Sequence, residues 1–345
     1  MTISAQSLIE FTRAALAKSG MADKSQLVAE MLVEADLLGH DTHGVALLPA
    51  YVDELQRGAM EGSGEPVVLH EHAAVAHWDG RWLSGIRLVA EAVDAAAAKA
   101  QKFGIGAVSI KHAHHTACLQ AYLERATRHD LMVMIASSDP ASSTVAPLGG
   151  LDPVFGPDPI AVGIPTAGDP ILIDMSSSIT TNGMVARKAR EGRQLPGQWL
   201  QDSDGRPTSD PTSVSGQPPG TLLLTGGLDH GQKGYGLALM VEALSQALSG
   251  SGRSSTKRRW GASVFVQVFD PAAFAGSKAF IDETSFLVEL CRRSRPRLDV
   301  TTVRMPGEKA LARKRKALHG GLQLREDTVR GLATLADKLG IARLS

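Results

Sequence analysis

The chain has 345 residues, with 36 basic and 36 acidic side chains and a formal net charge of zero. That length can bury more than one hydrophobic core, and the balanced charge offers no polyanion-binding face, so nucleic acid is not an expected partner. Thr2-Ile3-Ser4-Ala5-Gln6 is not a basic stretch leading into an apolar core, and no later run reaches the ~18 apolar residues of a membrane span; the chain reads as cytoplasmic, with no membrane partner.

The first ~60 residues read as helical. Asp23 is placed to cap a helix, with Gln26 three residues on. Leu27, Met31, Ala35 and Leu38 form its apolar stripe and Gly39 closes it. A second amphipathic segment begins near Val45, turns Leu48, Val52 and Leu55 inward, and stops at Gly58. The connector between them carries Asp41-Thr42-His43-Gly44. An imidazole titrates near pH ~6.5, so His43 in a connector held by two packed helices suits proton transfer at neutral pH. The plainer alternative is a histidine that caps a helix or fills a loop.

Gly62-Ser63-Gly64-Glu65-Pro66 breaks the helical pattern ahead of a strand at Val67-Val68-Leu69. An alanine-rich helix over about Ser84 to Phe103 then runs into a buried strand at Gly104 to Ile110. A helix over Tyr122 to His129 follows, then strands at Leu131 to Ala136 and Ile171 to Met175. Residues 190–220 are proline-rich and loop-like, an apolar helix resumes over Gly234 to Leu248, and Asp327 to Leu339 is helical and able to return to the N-terminal helices. This order predicts an α/β fold with a non-Rossmann, mixed-sheet domain and a mainly helical domain built from both chain ends. The expected division is residues 1–75 with 300–345 as the helical dimerisation and substrate domain, and 76–299 as the α/β cofactor domain.

A common nicotinamide fold would place G-x-G-x-x-G between a strand and a helix, and this chain does not. Gly104-Ile105-Gly106 precedes its strand, and Gly234-Tyr235-Gly236 lacks a third glycine. Gly226 to Gly236 still brings small residues and Lys233 to a helix start, where free amides favour an anion; a flexible loop is the alternative. His112, His114 and His115 lie within four residues, but no acid or thiolate pattern completes a tetrahedral metal set, and a polar loop contacting a ligand is preferred. Cys118 and Cys291, the only cysteines, are read as reduced thiols.

Six ordered blocks span nearly the whole chain: Asp41-Thr42-His43-Gly44-Val45, His114-His115, Val145-Ala146-Pro147-Leu148-Gly149-Gly150, Asp174-Met175-Ser176-Ser177-Ser178, Lys233-Gly234-Tyr235-Gly236-Leu237-Ala238-Leu239-Met240-Val241-Glu242, and Met305-Pro306-Gly307-Glu308. In these blocks the chain resembles the malate/L-lactate dehydrogenase family that lacks the Rossmann fold, a group with ureidoglycolate, sulfolactate and diketogulonate enzymes and cyclic-imine (piperideine and pyrroline-2-carboxylate) reductases. The resemblance implies hydride transfer between NAD or NADP and C2 of a small 2-hydroxy or 2-oxo acid, or of a cyclic imine, in a homodimer. It implies that His43 is the proton donor in reduction, with Thr42 orienting its ring. It implies cofactor contacts from His115, Thr116, Ala117, Cys118 and Leu119, from Asp174, Met175 and Ser176, from Gln232, Lys233 and Gly234, and from Arg304, Pro306, Gly307 and Glu308. Asp158, Asn182 and Gly183 fall on its substrate side, and no metal is implied.

Four positions depart from that family pattern. Leu47 stands where relatives commonly carry arginine, Pro157-Asp158 replaces Thr-Asn, Met184 replaces lysine or aspartate, and Gln232 replaces histidine. Asp158 would repel an anionic substrate unless a cation compensates, and Arg187, Lys188 and Arg190 are the nearest candidates in sequence. Two competing classes remain: a cofactor-binding relative without turnover, and a histidine-metal hydrolase built on His112, His114 and His115.

Overall fold

The computed structural model describes residues 2–254 and 259–344. The described residues form a mixed α/β fold. Its main sheet has seven strands, in the spatial order Val67–His72, Val75–Asp79, Ile105–Ala113, Ala262–Phe269, Met132–Ser138, Pro159–Ile164 and Ile171–Ser176. The first pair is antiparallel and the second parallel, which separates this sheet from an all-parallel doubly wound fold. By internal contacts the chain divides into one unit of Met1–Ile135, Ala161–Ile173 and Val266–Ser345 and a second of Ala136–Ile160 and Asp174–Phe265.

In the first unit, the helix Ala5–Lys18 packs on Ser25–Leu38, and the C-terminal helix Glu326–Leu339 packs on Ala5–Lys18 and Leu48–Gln56. Leu332, Leu335, Ala336 and Leu339 supply its buried stripe, at the spacing of one helix face. The strands Thr2–Ile3 and Leu322–Gln323 pair antiparallel, so both chain ends join one helical layer. Burying each leucine of such a stripe contributes roughly 1.5–3 kcal/mol.

Two local readings change. The helix expected from Asp23 starts at Ser25, with Lys24 at its cap and no side-chain capping bond; Asp23 lies in the preceding turn, where the Ser25 hydroxyl donates to Ala22 O at 3.1 Å. The helix expected over Tyr122–His129 is split into a turn at Leu119–Tyr122 and a short helix at Glu124–Thr127. Tyr122 is buried there, and its hydroxyl donates to Thr116 O at 2.6 Å. The end of Ser25–Leu38 is as the sequence reads: Gly39 takes φ +92° and the His40 N–H returns to Ala35 O at 2.8 Å.

The second unit packs around Val145, Phe155, Val185, Leu195, Leu200, Leu222, Leu224 and Ala238, with Met184 and Tyr235 against them. The loop-like 190–220 region contains short strands, Leu200–Gln201 and Pro207–Thr208, which join Thr221–Leu222 in a three-stranded sheet. The helix Asn182–Arg190 is capped by Thr181, whose Oγ1 accepts the Met184 N–H at 3.2 Å. The helix Gln232–Glu242 passes directly into a π-helical turn at Ala243–Ala247.

Candidate active site

The segment from His40 to Gly44 leaves the Gly39 cap and ends at the turn Val45–Leu47. The His43 N–H donates to His40 O at 2.9 Å. Asp36, in the last turn of the preceding helix, accepts the Val45 N–H through Oδ2 at 2.7 Å. A Cβ at Gly44 would meet that carboxylate at 2.2 Å, so the absence of a side chain lets the acid reach the backbone. Burial, opposed by this hydrogen bond, pushes the Asp36 carboxyl up to about 7.

Thr42 Oγ1 lies 2.8 Å from His43 Nδ1. When Nδ1–H donates to the hydroxyl, Nε2 keeps its lone pair and is the ring's basic atom. Burial is the main cause, with the neighbouring His40 charge adding to it, of a His43 pKa held down at about 4. The imidazole is therefore neutral at neutral pH, ready to accept a proton.

The His115 ring lies 6.2 Å from the His43 ring, centroid to centroid. Its Nδ1 is 2.7 Å from Tyr51 Oη and also receives the Ala117 N–H at 3.4 Å. A backbone N–H only donates, so Nδ1 is an acceptor, the tyrosine hydroxyl donates to it, and the ring proton sits on Nε2. Desolvation, then the His43 charge, holds the His115 pKa down at about 3. Sequence reading missed Tyr51, which looks like an ordinary core position on the Leu48–Gln56 helix. The three neighbouring histidines diverge: His112 faces Asp79 at 3.1 Å, His114 faces Glu54 at 3.0 Å, and His115 faces Tyr51.

A cavity of about 430 Å³ in the same unit is lined by Leu38, Gly39, His40 and Gln120 and by the loop Arg304–Gly307 with Lys309, Ala310 and Arg313. It gathers Arg304, Pro306 and Gly307 from the expected cofactor set, together with His40, Gln120, Lys309 and Arg313, which the sequence did not single out. The Gln120 amide nitrogen donates to Leu172 O at 3.2 Å, which turns its oxygen toward His40 Nε2 at 2.6 Å. Gly307 caps the helix Glu308–Gly320, so this helix presents its N-terminal amides beside three cations. Glu308 instead braces the loop, accepting the Met305 N–H at 3.2 Å. Thr116, Cys118 and Leu119 are buried, Cys118 in an apolar cluster with Ala35 and Ala121.

In the second unit, Asp174, Met175 and Ser176 end the strand Ile171–Ser176, and the Ser176 hydroxyl donates to Ser178 O at 2.9 Å. Gln232 and Lys233 are exposed at the start of their helix. Gly234 serves packing: a Cβ there would meet Thr225 N at 2.5 Å and Ser177 O at 2.6 Å. Asn182 and Gly183 form the first turn of Asn182–Arg190. Met184, one of the departures, packs on the apolar cluster. The cation near Asp158 is Arg253, with Nη2 3.6 Å from Oδ1, and not the expected Arg187, Lys188 or Arg190. Lys188 pairs instead with Glu191 at 2.9 Å.

The sequence pattern of the malate/L-lactate dehydrogenase family matches residues 3–333. An L-sulfolactate dehydrogenase from Methanothermobacter thermautotrophicus is 33% identical over 230 residues, 66% of this chain and 64% of that protein. A Delta(1)-pyrroline-2-carboxylate/Delta(1)-piperideine-2-carboxylate reductase from Pseudomonas putida is 31% identical over 90% of this chain and 89% of that protein. Among solved structures, malate dehydrogenase from Pyrococcus horikoshii superposes with a TM-score of 0.89 at 27% identity, covering 100% of this chain and 97% of that one.

Proposed function

The chain belongs to the malate/L-lactate dehydrogenase family, whose members are NAD(P)-dependent oxidoreductases, and from that premise we propose that it transfers hydride between NAD or NADP and C2 of a small 2-hydroxy or 2-oxo acid. The observation that carries this reading is the half-buried, neutral His43 held at Nδ1 by Thr42 and flanked by His115.

The residues present fit a dinucleotide. Arg304, Lys309 and Arg313 and the N-terminus of Glu308–Gly320 surround a cavity of about 430 Å³, a setting that favours phosphate oxygens. Arg304, Pro306 and Gly307 would hold it there, with His115 to Leu119, Asp174 to Ser176 and Gln232 to Gly234 as further proposed contacts. The bound nicotinamide supplies the hydride acceptor or donor.

In oxidation, His43 Nε2 takes the proton of the substrate hydroxyl while Thr42 Oγ1 accepts the Nδ1–H, so the positive charge that forms on the ring is met at its far side. In reduction, the same atom returns the proton to the oxygen. His115, with its proton fixed on Nε2 by Tyr51 and Ala117, is a neutral donor across the pH range in which His43 works. The substrate side is assigned to Asp158, Asn182 and Gly183.

A second reading, reduction of a cyclic imine, uses the same atoms, with His43 protonating nitrogen instead of oxygen. It is favoured by the 31% identity to an imine reductase across 90% of this chain. The chain is further proposed to act in the cytoplasm as a homodimer; no helix among the described residues is long and apolar enough to cross a membrane. The exposed Val67, Val68 and Leu69 on a sheet-edge strand support a partnered state.

The test is oxidation of NADH and of NADPH against a panel of 2-oxo acids and cyclic imino acids, with His43→Ala in parallel. Turnover lost in the variant supports the reading; tight cofactor binding with no turnover on any compound moves the assignment to a relative without catalysis.

A further inference from the structure

A buried polar cluster in the second unit is left unexplained by hydride transfer. Ser138 ends the strand Met132–Ser138, Asp158 precedes the strand Pro159–Ile164, and Glu242 ends the helix Gln232–Glu242. Gln246 sits in the π-helical turn, and Arg253 follows it. Such turns are rare and concentrate at functional sites. Asp158 is only 1% exposed and takes φ +45°. Left-handed backbone immediately before a proline is strained, so the surrounding contacts must hold this residue in place.

The Arg253 N–H donates to Gln246 Oε1 at 2.8 Å, which leaves Gln246 Nε2 to donate to Ser138 Oγ at 2.7 Å. Ser138 therefore accepts on that side and has one proton of its own. Two carboxyl oxygens lie within hydrogen-bond distance of it, Glu242 Oε1 at 2.7 Å and Asp158 Oδ1 at 3.0 Å. One hydroxyl proton serves one of them, and the other contact holds only if that carboxyl brings a proton.

Arg253 decides which. Its Nη2 and Nε lie 2.6 and 3.0 Å from Glu242 Oε1, whereas Asp158 Oδ1 is 3.6 Å away. Glu242 is thus the anion and Asp158 the acid. Burial, then the Glu242 charge, pushes the Asp158 carboxyl up to about 8, against the pull of Arg253. Asp139, the other acid near this guanidinium, is itself pushed up to about 6 by burial. Among the described residues, Asp158 Oδ2 is buried with no hydrogen-bond partner.

We propose that Glu242 and Asp158, linked through the Ser138 hydroxyl, hold one carboxyl proton between them, which keeps Asp158 an uncharged acid whose buried Oδ2 accepts a hydrogen bond from a hydroxyl or N–H of the substrate. This rests on the reading that Asp158 faces the substrate. A substrate carboxylate has no proton to give there, so the group it meets is a hydroxyl or N–H other than the one whose proton His43 takes, such as the second proton of a ring nitrogen, and not an acid. The aspartate at a position where relatives carry an amide then adds no charge.

Difference infrared spectroscopy of the full chain tests this without turnover. Wild type at neutral pH should show the carbonyl band of an un-ionised carboxyl that Asp158→Asn lacks, and the band should fade as pH rises through about 8. Glu242→Gln leaves Arg253 to Asp158 and should abolish the band at neutral pH. Absence of an Asp158-dependent band, or its survival in Glu242→Gln with the fold intact by circular dichroism, overturns the shared proton. With NADPH present, so that no hydride can leave the ligand, L-proline, as an N–H donor, should bind and move the band to lower frequency; binding without movement, or no binding, overturns the acceptor role. A band present in a protein that turns over no 2-oxo acid or imine refutes the proposed reaction while leaving the shared proton standing.

Discussion

Asp36 Oδ2 accepts the Val45 N–H at 2.7 Å and so ties the last turn of one helix to the first residue of the next turn, closing the segment that carries His40, Thr42 and His43. The contact exists because residue 44 has no side chain.

Gly44→Ala should therefore break that tie. Overpacking against a buried carboxylate costs about 1–3 kcal/mol, and His43 would lose its position. The expected result is a lower urea midpoint together with a much reduced kcat. Asp36→Ser in the Gly44→Ala background should restore part of the stability, a non-additive pairing that an independent loop defect would not show.

His43→Ala should lower kcat by about 10²–10⁴-fold, the usual contribution of a positioned acid or base, with the Kd for NADPH nearly unchanged. Fluorescence titration alongside steady-state kinetics separates the two. Loss of cofactor affinity in the same proportion would show that His43 binds and does not transfer a proton.

Thr42→Val keeps the shape and removes the oxygen that faces Nδ1 at 2.8 Å. Turnover should fall about 10-fold or more as the tautomer is no longer fixed, while Thr42→Ser stays near wild type. Equal activity in both variants would remove the hydroxyl from the mechanism.

Stability should decline on both sides of neutrality for opposite reasons. His43 and His115 have folded pKa values lowered to about 4 and about 3 from 6.5, so the unfolded chain binds more protons and stability is lost as pH falls below about 6.5. For His43 the drop from 6.5 to about 4 corresponds to about 3 kcal/mol when complete. Asp36 is raised from 3.8 to about 7, so the folded chain binds the extra proton and stability is lost as pH rises through that window. Denaturation midpoints across pH should show Asp36→Asn flattening the upper limb only; an unchanged upper limb would mean that Asp36 is ionised throughout.

Lys314 contacts Glu34 at 2.6 Å and Glu124 at 2.7 Å, and burial pushes the Glu34 carboxyl up against the pull of that ammonium. Lys314→Met should destabilise by about 1–2 kcal/mol, less than a fully buried pair because all three groups keep some solvent. Lys314→Met with Glu34→Gln should recover most of the loss in urea titrations.

The local parts of this site were legible in the chain. Gly39 ends a helix because only a residue at ease with positive φ does so cheaply, and a histidine four residues later had to lie on a connector. The spacing of Leu332, Leu335, Ala336 and Leu339 marked a buried helix face in the same way. These signals act over a turn or two of backbone, within reach of pattern reading. The cap expected at Asp23 failed because neighbouring hydrogen bonds outweighed a preference worth only tenths of a kcal/mol, whereas the helical stretch expected at Tyr122–His129 is present but irregular.

The chemistry of the side chains was decided elsewhere. Tyr51 reaches His115 across 64 positions, His40 reaches Gln120 across 80, and Ser138 reaches Glu242 across 104. No spacing rule links residues so far apart, and a protonation state depends on burial and on which charges the fold brings near. By itself the sequence determined the kinds of reactive groups, the connector that holds His43, and the family to which they point. Only the tertiary structure decided that the His43 ring is held neutral, that His115 has its proton on Nε2, and that Arg253 pairs with Glu242 beside Asp158, because desolvation and long-range contacts exist only once the chain has folded.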